Sequence, residues 1–346
     1  MKFFLFSEKY KTQWNNFVLT HNLGSIHQIH SWKNFQEKIP GRGLVLGFGV
    51  LDENNKILAS TFCVRMNTGF LNKFWWYSPR GPVFDMQKNL DAGVFLIKKI
   101  YDYLKKQGGI FWRIDPYFDE ENFQKLENLL NKKINIKIST QNYQPTYTLE
   151  INLVQDETEI LADMKRKGRY NIKLAQKKGV KIITIPNGNF SKQDLEDFWD
   201  LNQETFSRDK FAGHEKKYYE NFLSVLKNHA ILFFAEYEGK KIATAISTLC
   251  GKKFIYYFGA STSDPKFRNL MAPYLLQWEM IKFAKKNNCT SYDFLGIAPE
   301  NEKNHPYAGI TEFKLKFGGN KKNYAQGREI VLNNFWYFLY RLRKKF

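Results

Sequence analysis

Two stretches of the chain repeat one order of hydrophobic and polar patterns. In residues 42–80, apolar runs alternate with turn residues, which predicts a meander of strands. The segment DAGVFLIKKIYDYLKKQ then has apolar positions three and four residues apart, typical of a helix, and the run IFWRI predicts a strand that ends at Asp115. Residues 230–260, the helix from Pro273 to Lys286 and the strand SYDFLGI repeat this order. We therefore predict two α/β units of one architecture, each with a right-handed strand–helix–strand crossover.

The segment between the two units combines a strand with a strongly basic helix. PTYTLEINL predicts the strand, and DETEILADMKRKGRYNIKLAQKKG predicts a single helix with Gly179 just beyond its end. Positive side chains are dense on this helix, at Lys165, Arg166, Lys167, Arg169 and Lys173, and continue through Lys177, Lys178 and Lys181. A basic face of this kind is either simply solvated or contacts phosphates, and the pattern leaves both interpretations open.

Composition narrows the classes of protein that fit these patterns. Hydrophobic residues make up 43% of the 346 residues, which is enough for packed cores and excludes a disordered chain. The net charge of +19 favours polyanionic partners such as nucleic acid, anionic lipid or phosphorylated substrates, with compositional drift as the alternative. The cysteines are far apart, and no apolar run is long enough for a signal peptide or a membrane span. We therefore expect a cytoplasmic protein. We also expect no metal site, because His27 and His30 lack a third ligand in a motif.

The loop before the second long helix lacks the residues that coenzyme A needs. In acyltransferases of the GNAT fold, glycines in this loop let backbone N–H groups approach a pyrophosphate at the helix N-terminus. Here the loop runs from Arg268 to Pro273, so that Met271 fills the space and Pro273 removes a donor. The corresponding loop of the first unit, RGPVFDMQKNLDAG, is no better suited. An N-acyltransferase that uses acyl-CoA is therefore the disfavoured alternative.

A series of motifs along the chain resembles one family. YSPRGPV, FWRIDP, MKRKGRYNIKLAQKKGV, YYFGAS, MAPYLLQWEMIKFA, YDFLGI and GITEFKLKFG occur in the order found in the Fem family of peptidoglycan aminoacyltransferases. The resemblance implies two tandem GNAT-like domains with mixed α/β sheets and no coiled-coil arm. It also implies that the last segment returns to the first domain. We therefore expect residues 1–147 and 322–346 in domain 1 and residues 148–321 in domain 2.

The resemblance also implies a reaction. Fem enzymes transfer an amino acid from aminoacyl-tRNA to an amine on the stem peptide of a peptidoglycan precursor, which builds an interpeptide bridge. This chemistry needs two oriented partners and donors for the oxyanion, without a covalent enzyme intermediate or a cofactor. The sequence has no G-x-S-x-G motif, in keeping with direct attack. The expected partners of this monomer are aminoacyl-tRNA, contacted by the basic helix, and a muropeptide precursor.

Two residues match catalytic positions of the family. Lys314 matches the lysine of a Phe-Lys motif that stabilises the tetrahedral intermediate or the departing ribose oxygen, with Phe313 beside it. Alternation in GITEFKLKFG predicts a strand that points these two side chains to opposite faces, and a solvated strand face is the ordinary alternative. Asp115 matches the aspartate of an R-x-D-P motif, which orients the amine or accepts its proton. The alternative role of Asp115, compatible with the first, is the N-cap of a helix that Pro116 begins.

Further substrate-binding positions carry over from the family with several departures. The residues expected in this role, besides Phe313, are Lys33, Lys38, Arg80, His214, Tyr218, Tyr256 and Tyr257. His214 stands where FemX-like members bind phosphate through arginine, and histidine is a weaker, pH-dependent anion ligand. Gln36 stands at a lysine position, for which Lys33 or Lys38 would substitute. Phe258 stands at a tyrosine position, for which Tyr256 or Tyr257 would compensate.

The departures and the last segment together favour an acceptor at the membrane. The changed positions lie on the side that would hold a nucleotide-linked precursor, so we expect lipid II rather than UDP-MurNAc-pentapeptide. Residues 333–346, NNFWYFLYRLRKKF, are aromatic and apolar and end in cations, which predicts peripheral contact with the inner face of the membrane. The alternative for this segment is an amphipathic helix docked on the first unit. A non-catalytic RNA-binding protein and an inactive relative of the family stay open as further hypotheses.

Overall fold

Two mixed sheets organise the residues that the computed structural model describes, which are 1–69, 71–130, 134–210, 212–300, 302 and 304–343. Unit 1 comprises Met1–Thr146 and Asn323–Phe346, and unit 2 comprises Tyr147–Lys322. Each unit has its own sheet and its own hydrophobic core. Within the described ranges, we find no helix that is long and apolar enough to cross a membrane.

The regular elements follow the chain in the order below. The strands are β1 (Lys2–Leu5), β2 (Val45–Leu51), β3 (Ile57–Asn67), β4 (Phe74–Ser78), β5 (Val83–Phe84), β6 (Phe111–Ile114), β7 (Ile136–Ile138), β8 (Tyr147–Asn152), β9 (Lys181–Ile185), β10 (Ala230–Tyr237), β11 (Lys240–Cys250), β12 (Lys253–Ser261), β13 (Ser291–Gly296), β14 (Asn320–Asn323) and β15 (Arg328–Val331). The helices are α1 (Lys11–Thr20), α2 (His30–Glu37), α3 (Leu90–Lys106), α4 (Glu120–Leu130), α5 (Glu157–Asp163), α6 (Arg166–Lys177), α7 (Lys192–Asp209), α8 (Lys216–Leu226), α9 (Pro265–Arg268), α10 (Ala272–Lys286), α11 (Ala308–Lys314) and α12 (Asn334–Arg343).

The sheet of unit 1 has the order β1-β2-β3-β4-β6-β15-β7, with β5 paired to β3. β4 and β6 are parallel because α3 carries the chain back between them, as the sequence predicted. Apolar residues of α3, among them Ile97, Ile100 and Leu104, are buried in the core that also contains α4. β15 lies antiparallel between β6 and β7, and a buried ion pair joins its Glu329 to Arg113 of β6.

The sheet of unit 2 has the order β14-β8-β13-β12-β11-β10-β9. β12 and β13 are parallel, and α10 is the crossover between them. The first turn of α10 follows Met271, whose backbone is left-handed with φ of 55°, and Pro273 stands in that turn without a backbone donor. The two crossovers that the sequence predicted are therefore present, one in each unit.

Both parallel pairs of strands are short, so the chain beyond the carboxyl end of each pair is not hydrogen-bonded to its parallel neighbour. β4 pairs with β6 from Trp76 to Ser78, and β12 pairs with β13 from Lys253 to Ile255. The register of β11 with β12 shifts between Ile246 and Ser247, because Tyr257 of β12 is an extra residue, and this bulge follows the paired stretch closely. Residues that follow the paired stretch, such as Asp115 after β6, therefore stand at the open end of a parallel pair.

The basic segment forms two helices, so the prediction of a single helix is wrong. α5 begins with a capping box between Asp156 and Glu159 and ends at Asp163, and the chain is extended at Met164 before α6 begins. Gly168 explains the second start, because a Cβ at this position would lie 2.4 Å from the carbonyl oxygen of Lys316. The helix therefore approaches the backbone of another segment more closely than any other residue type allows.

The segment GITEFKLKFG is helical, so the predicted strand is wrong as well. α11 ends at Lys314, a short 3-10 turn continues to Phe317, and Gly318 and Gly319 end the helical stretch with φ of 75° and 89°. The rings of Phe313 and Phe317 are in contact, with centroids 5.3 Å apart. A spacing of four residues places both rings on one helical face, which explains the apolar positions as well as strand alternation does.

Candidate functional site

Lys314 is a buried cation at the end of α11. Its Nζ atom donates a hydrogen bond to the carbonyl oxygen of Gly296, at 2.7 Å, and the centroid of the Tyr256 ring lies 6.0 Å from the same atom. Burial lowers the pKa of Lys314 to about 8, and the Asp293 carboxylate opposes this shift. The ammonium form therefore predominates at neutral pH, with a proton that is held less tightly than that of an exposed lysine.

The carbonyl that holds Lys314 is presented by an irregular end of β13. Leu295 has a left-handed backbone with φ of 58°, which is unfavourable for a bulky residue, and the pairing with β8 is interrupted between Asp293 and Gly296. The Asp293 carboxylate stabilises this conformation by accepting a hydrogen bond from the Leu295 N–H at 2.7 Å. One carboxylate thus fixes the backbone that binds the lysine and also faces its charge.

Tyr256 and Phe313 complete the surroundings of Lys314 from two elements. Tyr256, on β12, is half-buried with its hydroxyl directed inwards, and burial raises the pKa of this hydroxyl to about 12. Gly259 makes room for it, because a Cβ there would lie 1.7 Å from the phenol oxygen. Phe313 packs on Tyr274, at the start of α10, with ring centroids 5.1 Å apart. The Gly296 carbonyl and the Tyr256 ring therefore contact the cation, while the packing of Phe313 on Tyr274 fixes the helix that carries it.

Asp115 is a buried carboxylate at the open end of β6. Its Oδ2 atom accepts a hydrogen bond from the Tyr77 hydroxyl, and its Oδ1 atom accepts one from the Arg80 backbone N–H, both at 2.6 Å. The N-cap interpretation of Asp115 is wrong, because α4 begins five residues later and the Asn122 N–H is bonded by the carboxylate of Asp119. The polar partners of Asp115 come instead from β4, which carries Tyr77, and from the loop after it, which carries Arg80.

The environment of Asp115 makes its carboxylate easier to protonate than that of an exposed aspartate. Burial raises the pKa of Asp115 to about 6, although the Arg80 charge and the two hydrogen bonds oppose that rise. The same burial and the facing carboxylate raise the pKa of Tyr77 well above its ordinary value, so Tyr77 stays a hydrogen-bond donor. Asp115 therefore changes charge close to neutral pH, which suits a group that accepts and releases a proton.

Arg80 stands beside Asp115 with its charge enclosed. Its backbone is left-handed, with φ of 50°, and its Nη2 atom donates to the carbonyl oxygen of Pro145 at 2.7 Å. The guanidinium lies over the rings of Tyr117 and Tyr324, at 4.4 Å and 5.1 Å from their centroids. Only 3% of the residue is exposed, so Arg80 is held by unit 1 itself. Sequence reasoning missed both tyrosines, which contribute rings rather than a recognisable motif.

His27 is a further buried group that sequence reasoning considered only as half of a metal pair. Its Nδ1 atom is 2.7 Å from the Ser25 hydroxyl, and its Nε2 atom is 3.5 Å from the amide nitrogen of Gln144. Burial, with a smaller effect of the Arg80 charge, lowers the pKa of His27 to about 3. This histidine is therefore neutral at physiological pH. Among the described residues, no group of three or more His, Cys, Asp or Glu could hold a metal ion.

The two lysines expected to replace Gln36 are not drawn into the Asp115 surroundings. Lys33 forms an ion pair with Glu37, at 2.8 Å, and Lys38 is exposed just beyond α2. Gln36 is buried and accepts a hydrogen bond from Arg42 at 3.1 Å. In the described part of the chain, no hydrogen bond or ion pair joins either lysine to Asp115 or Arg80. A role of these lysines in substrate binding stays a prediction.

The structure brings most of the other expected substrate residues into one aromatic cluster. The ring of His214 stacks on that of Tyr218 with centroids 3.8 Å apart, and Phe258 meets both at 6.3 and 6.4 Å. Tyr257 belongs to the same cluster through Phe222, at 5.2 Å. Tyr256, in contrast, faces Lys314, and the bulge at Tyr257 interrupts the alternation of the strand, so that Tyr257 and Phe258 both belong to the cluster. The two candidate tyrosines therefore stand at different places.

The basic residues of α6 divide into an exposed group and one structural arginine. The residues expected to contact tRNA that are exposed are Lys165, Arg166, Lys167 and Lys173, and Lys177 at the end of the helix is exposed as well. The Nη1 atom of Arg169 donates to the carbonyl oxygens of Leu161 and Ala162, at 3.2 and 3.1 Å, and to that of Met164. These are carbonyls at the end of α5, so Arg169 caps that helix. The exposed cations form the basic face of this segment.

Known proteins share this sequence pattern and this fold. The FemAB family model matches residues 10–249 and 236–345. Aminoacyltransferase FemB of Staphylococcus epidermidis is 22% identical, over 90% of this chain and 91% of that protein. The crystal structure of FemX has a TM-score of 0.86 at 19% identity, and covers 98% of this chain and 99% of that one. A tandem GNAT protein from the clavulanic acid biosynthesis pathway has a TM-score of 0.56 at 9% identity, over 95% and 96% of the two chains. The expected tandem GNAT-like fold is thus confirmed, and the chain belongs to the FemAB family.

Proposed function

We propose that this protein is an aminoacyltransferase that moves an amino acid from aminoacyl-tRNA to an amine on the stem peptide of a peptidoglycan precursor, forming an interpeptide bridge. The observation that carries the proposal is the buried ammonium of Lys314, held on the Gly296 carbonyl at 2.7 Å in a chain of the FemAB family. A desolvated cation of this kind stabilises negative charge that develops during acyl transfer. The reaction takes place in the cytoplasm and needs no cofactor besides the tRNA-bound substrate.

The proposed transfer proceeds by direct attack of the amine on the ester carbonyl. A C–N bond forms, the carbonyl oxygen becomes an oxyanion, and the C–O bond to the ribose then breaks. Lys314 stabilises the charge on the carbonyl oxygen or on the departing ribose oxygen. Asp115 orients the amine or accepts its proton, and the ribose oxygen takes up a proton as it leaves. The two residues belong to different units, and each role is assigned from its own surroundings.

The acceptor in this proposal is a lipid-linked precursor, lipid II, rather than a nucleotide-linked one. His214 is stacked on Tyr218 and carries no permanent charge for a pyrophosphate, and Gln36 is buried against Arg42. We assign the aromatic cluster of His214, Tyr218 and Tyr257 to substrate contact, together with Phe313, Tyr256, Arg80 and the two lysines at positions 33 and 38. Peripheral contact with the membrane would come from residues 333–346, of which 344–346 lie outside the described residues.

One assay tests the reaction class and the acceptor together. The purified protein is given charged tRNA with lipid-linked or nucleotide-linked muropeptide, and separately acetyl-CoA, and the mass of the stem peptide is measured. We expect a mass gain equal to one or more amino-acid residues with tRNA, and more product from the lipid-linked acceptor. Transfer from acetyl-CoA alone, or none from tRNA, would refute the proposal. Equal use of both acceptors would refute only the preference for lipid II.

The exposed basic face of α6 is proposed to contact tRNA phosphates. Replacing Arg166, Lys167 and Lys173 together with glutamine should raise the KM for aminoacyl-tRNA at least about tenfold, with kcat little changed, and should lower the salt slope of tRNA binding by about three. The measurement is tRNA affinity and turnover across a salt series.

A matched control for the basic face is available on α3. Lys98, Lys105 and Lys106 are exposed lysines of that helix, and their triple replacement with glutamine removes the same charge from a surface outside the proposed contact. An equal loss of tRNA affinity in both triple variants would show a general charge effect. If the tRNA affinity of the wild type did not depend on salt concentration, the basic face would be an ordinary solvated surface without phosphate contacts.

A further inference from the structure

The last described helix, α12, has an apolar face on each of its two sides. The inner face packs on unit 1: Tyr337 is buried, its ring contacts that of Phe111, and its hydroxyl donates to Glu329 at 2.6 Å. The outer face carries Phe335 and Phe338, which are 64% and 59% exposed, although packing alone gives no reason for exposed phenylalanines. The docked-helix alternative thus explains one face of α12 and leaves the other without a function.

The outer apolar residues of α12 form a stripe with a cation on each flank. Phe335, Phe338 and Leu342 are spaced by three and four residues, so their side chains fall within about 60° of arc on the helix. Leu342 is 40% exposed. Arg343 follows about 80° beyond one edge of this stripe, and Arg341 lies about 60° beyond the other edge. The Nη1 atom of Arg341 donates to the Tyr337 hydroxyl at 3.1 Å and lies 3.7 Å from the Glu329 carboxylate, so Arg341 is held on the inner side. An apolar stripe between arginines is the arrangement of a helix that lies in a membrane interface.

A neighbouring turn extends this surface. Thr68 closes the turn between β3 and β4 with two hydrogen bonds to the Lys73 carbonyl, at 3.0 Å from its backbone N–H and 2.8 Å from its hydroxyl. The Lys73 ammonium lies 4.2 Å from the centroid of the Trp336 ring, which places the turn beside α12. Leu71, in the same turn, is 61% exposed. The turn therefore contributes one more apolar side chain and one more cation.

A cavity of about 280 Å³ separates the turn from α12. Its lining includes the cations Lys73 and Arg343 and the rings of Trp336 and Tyr340. Two cations above an aromatic wall suit a phosphate group, and the exposed apolar stripe beside them suits acyl chains. A layer of anionic lipid supplies both kinds of chemistry in one place.

We propose that the outer stripe of α12, together with Leu71 and Lys73 of the neighbouring turn, docks unit 1 on an anionic phospholipid bilayer. Phe335, Phe338 and Leu342 enter the interface, and Lys73 and Arg343 meet the lipid phosphates. A second copy of the chain is disfavoured as the occupant, because each copy carries a net charge of +19 and would place arginines against arginines. The proposal rests on the membrane contact proposed above for residues 333–346, for which it names the docking residues and the lipid, and it does not depend on the transfer reaction.

Vesicle flotation tests the docking without any substrate. The full chain is mixed with vesicles of phosphatidylcholine alone or with roughly 30% phosphatidylglycerol. We expect binding to the anionic vesicles only, and a loss of at least about tenfold in the double variant Phe335→Ser, Phe338→Ser. The matched control is Leu129→Ser, Val154→Ser, which removes two apolar residues that are 47% and 75% exposed elsewhere. We expect this control to bind like the wild type.

The charge requirement is tested by Lys73→Gln combined with Arg343→Gln, with thermal unfolding as the check of the fold. We expect weaker binding to anionic vesicles and a smaller dependence on salt. Equal binding to neutral vesicles, unchanged binding of the phenylalanine variant, or self-association of the wild type that this variant abolishes would overturn the proposal. Transfer to a water-soluble stem peptide, measured in parallel, should be the same in wild type and the phenylalanine variant, so a failure of docking is distinct from a failure of the proposed reaction.

Discussion

Lys314→Met should lower the turnover of aminoacyl transfer by about 100- to 1,000-fold, the range found when one donor to a reaction oxyanion is removed. Methionine is similar in length to lysine but has no charge and no N–H group. It therefore deletes the proposed electrostatic contribution while filling most of the same space beside Tyr256. The measurement is single-turnover transfer at saturating substrates, which separates chemistry from binding.

The fold of the Lys314→Met variant should survive. Because the folded-state pKa of Lys314, about 8, is below the ordinary 10.5, the unfolded chain binds more protons between these values. The free energy of unfolding therefore rises with pH across this window, and at neutral pH the buried charge opposes folding. Methionine removes that penalty and leaves the Gly296 carbonyl without its donor. The two effects oppose each other, so we expect the melting temperature to stay within a few degrees of the wild type.

The pH dependence distinguishes an electrostatic role of Lys314 from a structural one. If the ammonium form acts, turnover of the wild type should fall as pH rises through about 8, while Lys314→Arg, which keeps its charge, should lose that alkaline limb. Lys316→Met is the matched control, since it changes the neighbouring half-buried lysine of the same segment. Activity of Lys314→Met near that of the wild type would rule out the oxyanion role.

The architecture was predictable from sequence because its signals are local. The crossover helices α3 and α10 each show apolar positions three and four residues apart, and each is followed by a short apolar strand. The order of strand, helix and strand, repeated twice, then limits the topology, since a right-handed crossover is almost obligatory for parallel neighbours. The break between α5 and α6 escaped this reasoning because it depends on Gly168 meeting the Lys316 carbonyl, a contact between segments far apart in the chain.

The position of Lys314 shows where periodicity alone is ambiguous. In GITEFKLKFG the apolar residues at 313, 315 and 317 fit strand alternation, while 313 and 317 alone fit a helix. The helix is present because Phe313 and Phe317 both pack around Tyr274 of α10, which the sequence of this segment does not contain. The residue was identified from its motif, but its burial and the carbonyl that binds it could not be predicted.

The surroundings of Asp115 were out of reach for a similar reason. The carboxylate is bound by Tyr77 and by the backbone of Arg80, more than thirty positions earlier, and the left-handed backbone of Arg80 aims its N–H at the acid. From sequence, an aspartate before proline reads as a helix cap. Only the parallel pairing of β4 with β6 brings the loop after one strand to the end of the other.

Asp115→Asn should reduce turnover by about 100-fold if the carboxylate accepts the proton of the attacking amine. Asparagine keeps an oxygen that can accept the Arg80 N–H, so the loop after β4 should keep its conformation. The pKa of Asp115 is about 6 in the folded state and 3.8 ordinarily, so the buried charge lowers the free energy of unfolding above pH 6. Asparagine removes that charge. We therefore expect turnover to fall while the melting temperature at pH 8 is maintained. Unchanged turnover would show that Asp115 has only a structural role, as the acceptor for the Arg80 backbone N–H.

Tyr77→Phe is the sharper test of the same role. The hydrogen bond from the Tyr77 hydroxyl lowers the pKa of Asp115, so its removal should raise that pKa further. The wild type should show an acid limb near pH 6 and an alkaline limb near pH 8, from Asp115 and Lys314 respectively. Tyr77→Phe should move only the acid limb to higher pH, and Asp115→Asn should abolish that limb. The pKa of the catalytic base sets the acid limb of the pH–rate profile. An acid limb that is unchanged in both variants would therefore assign the proton transfer to another group.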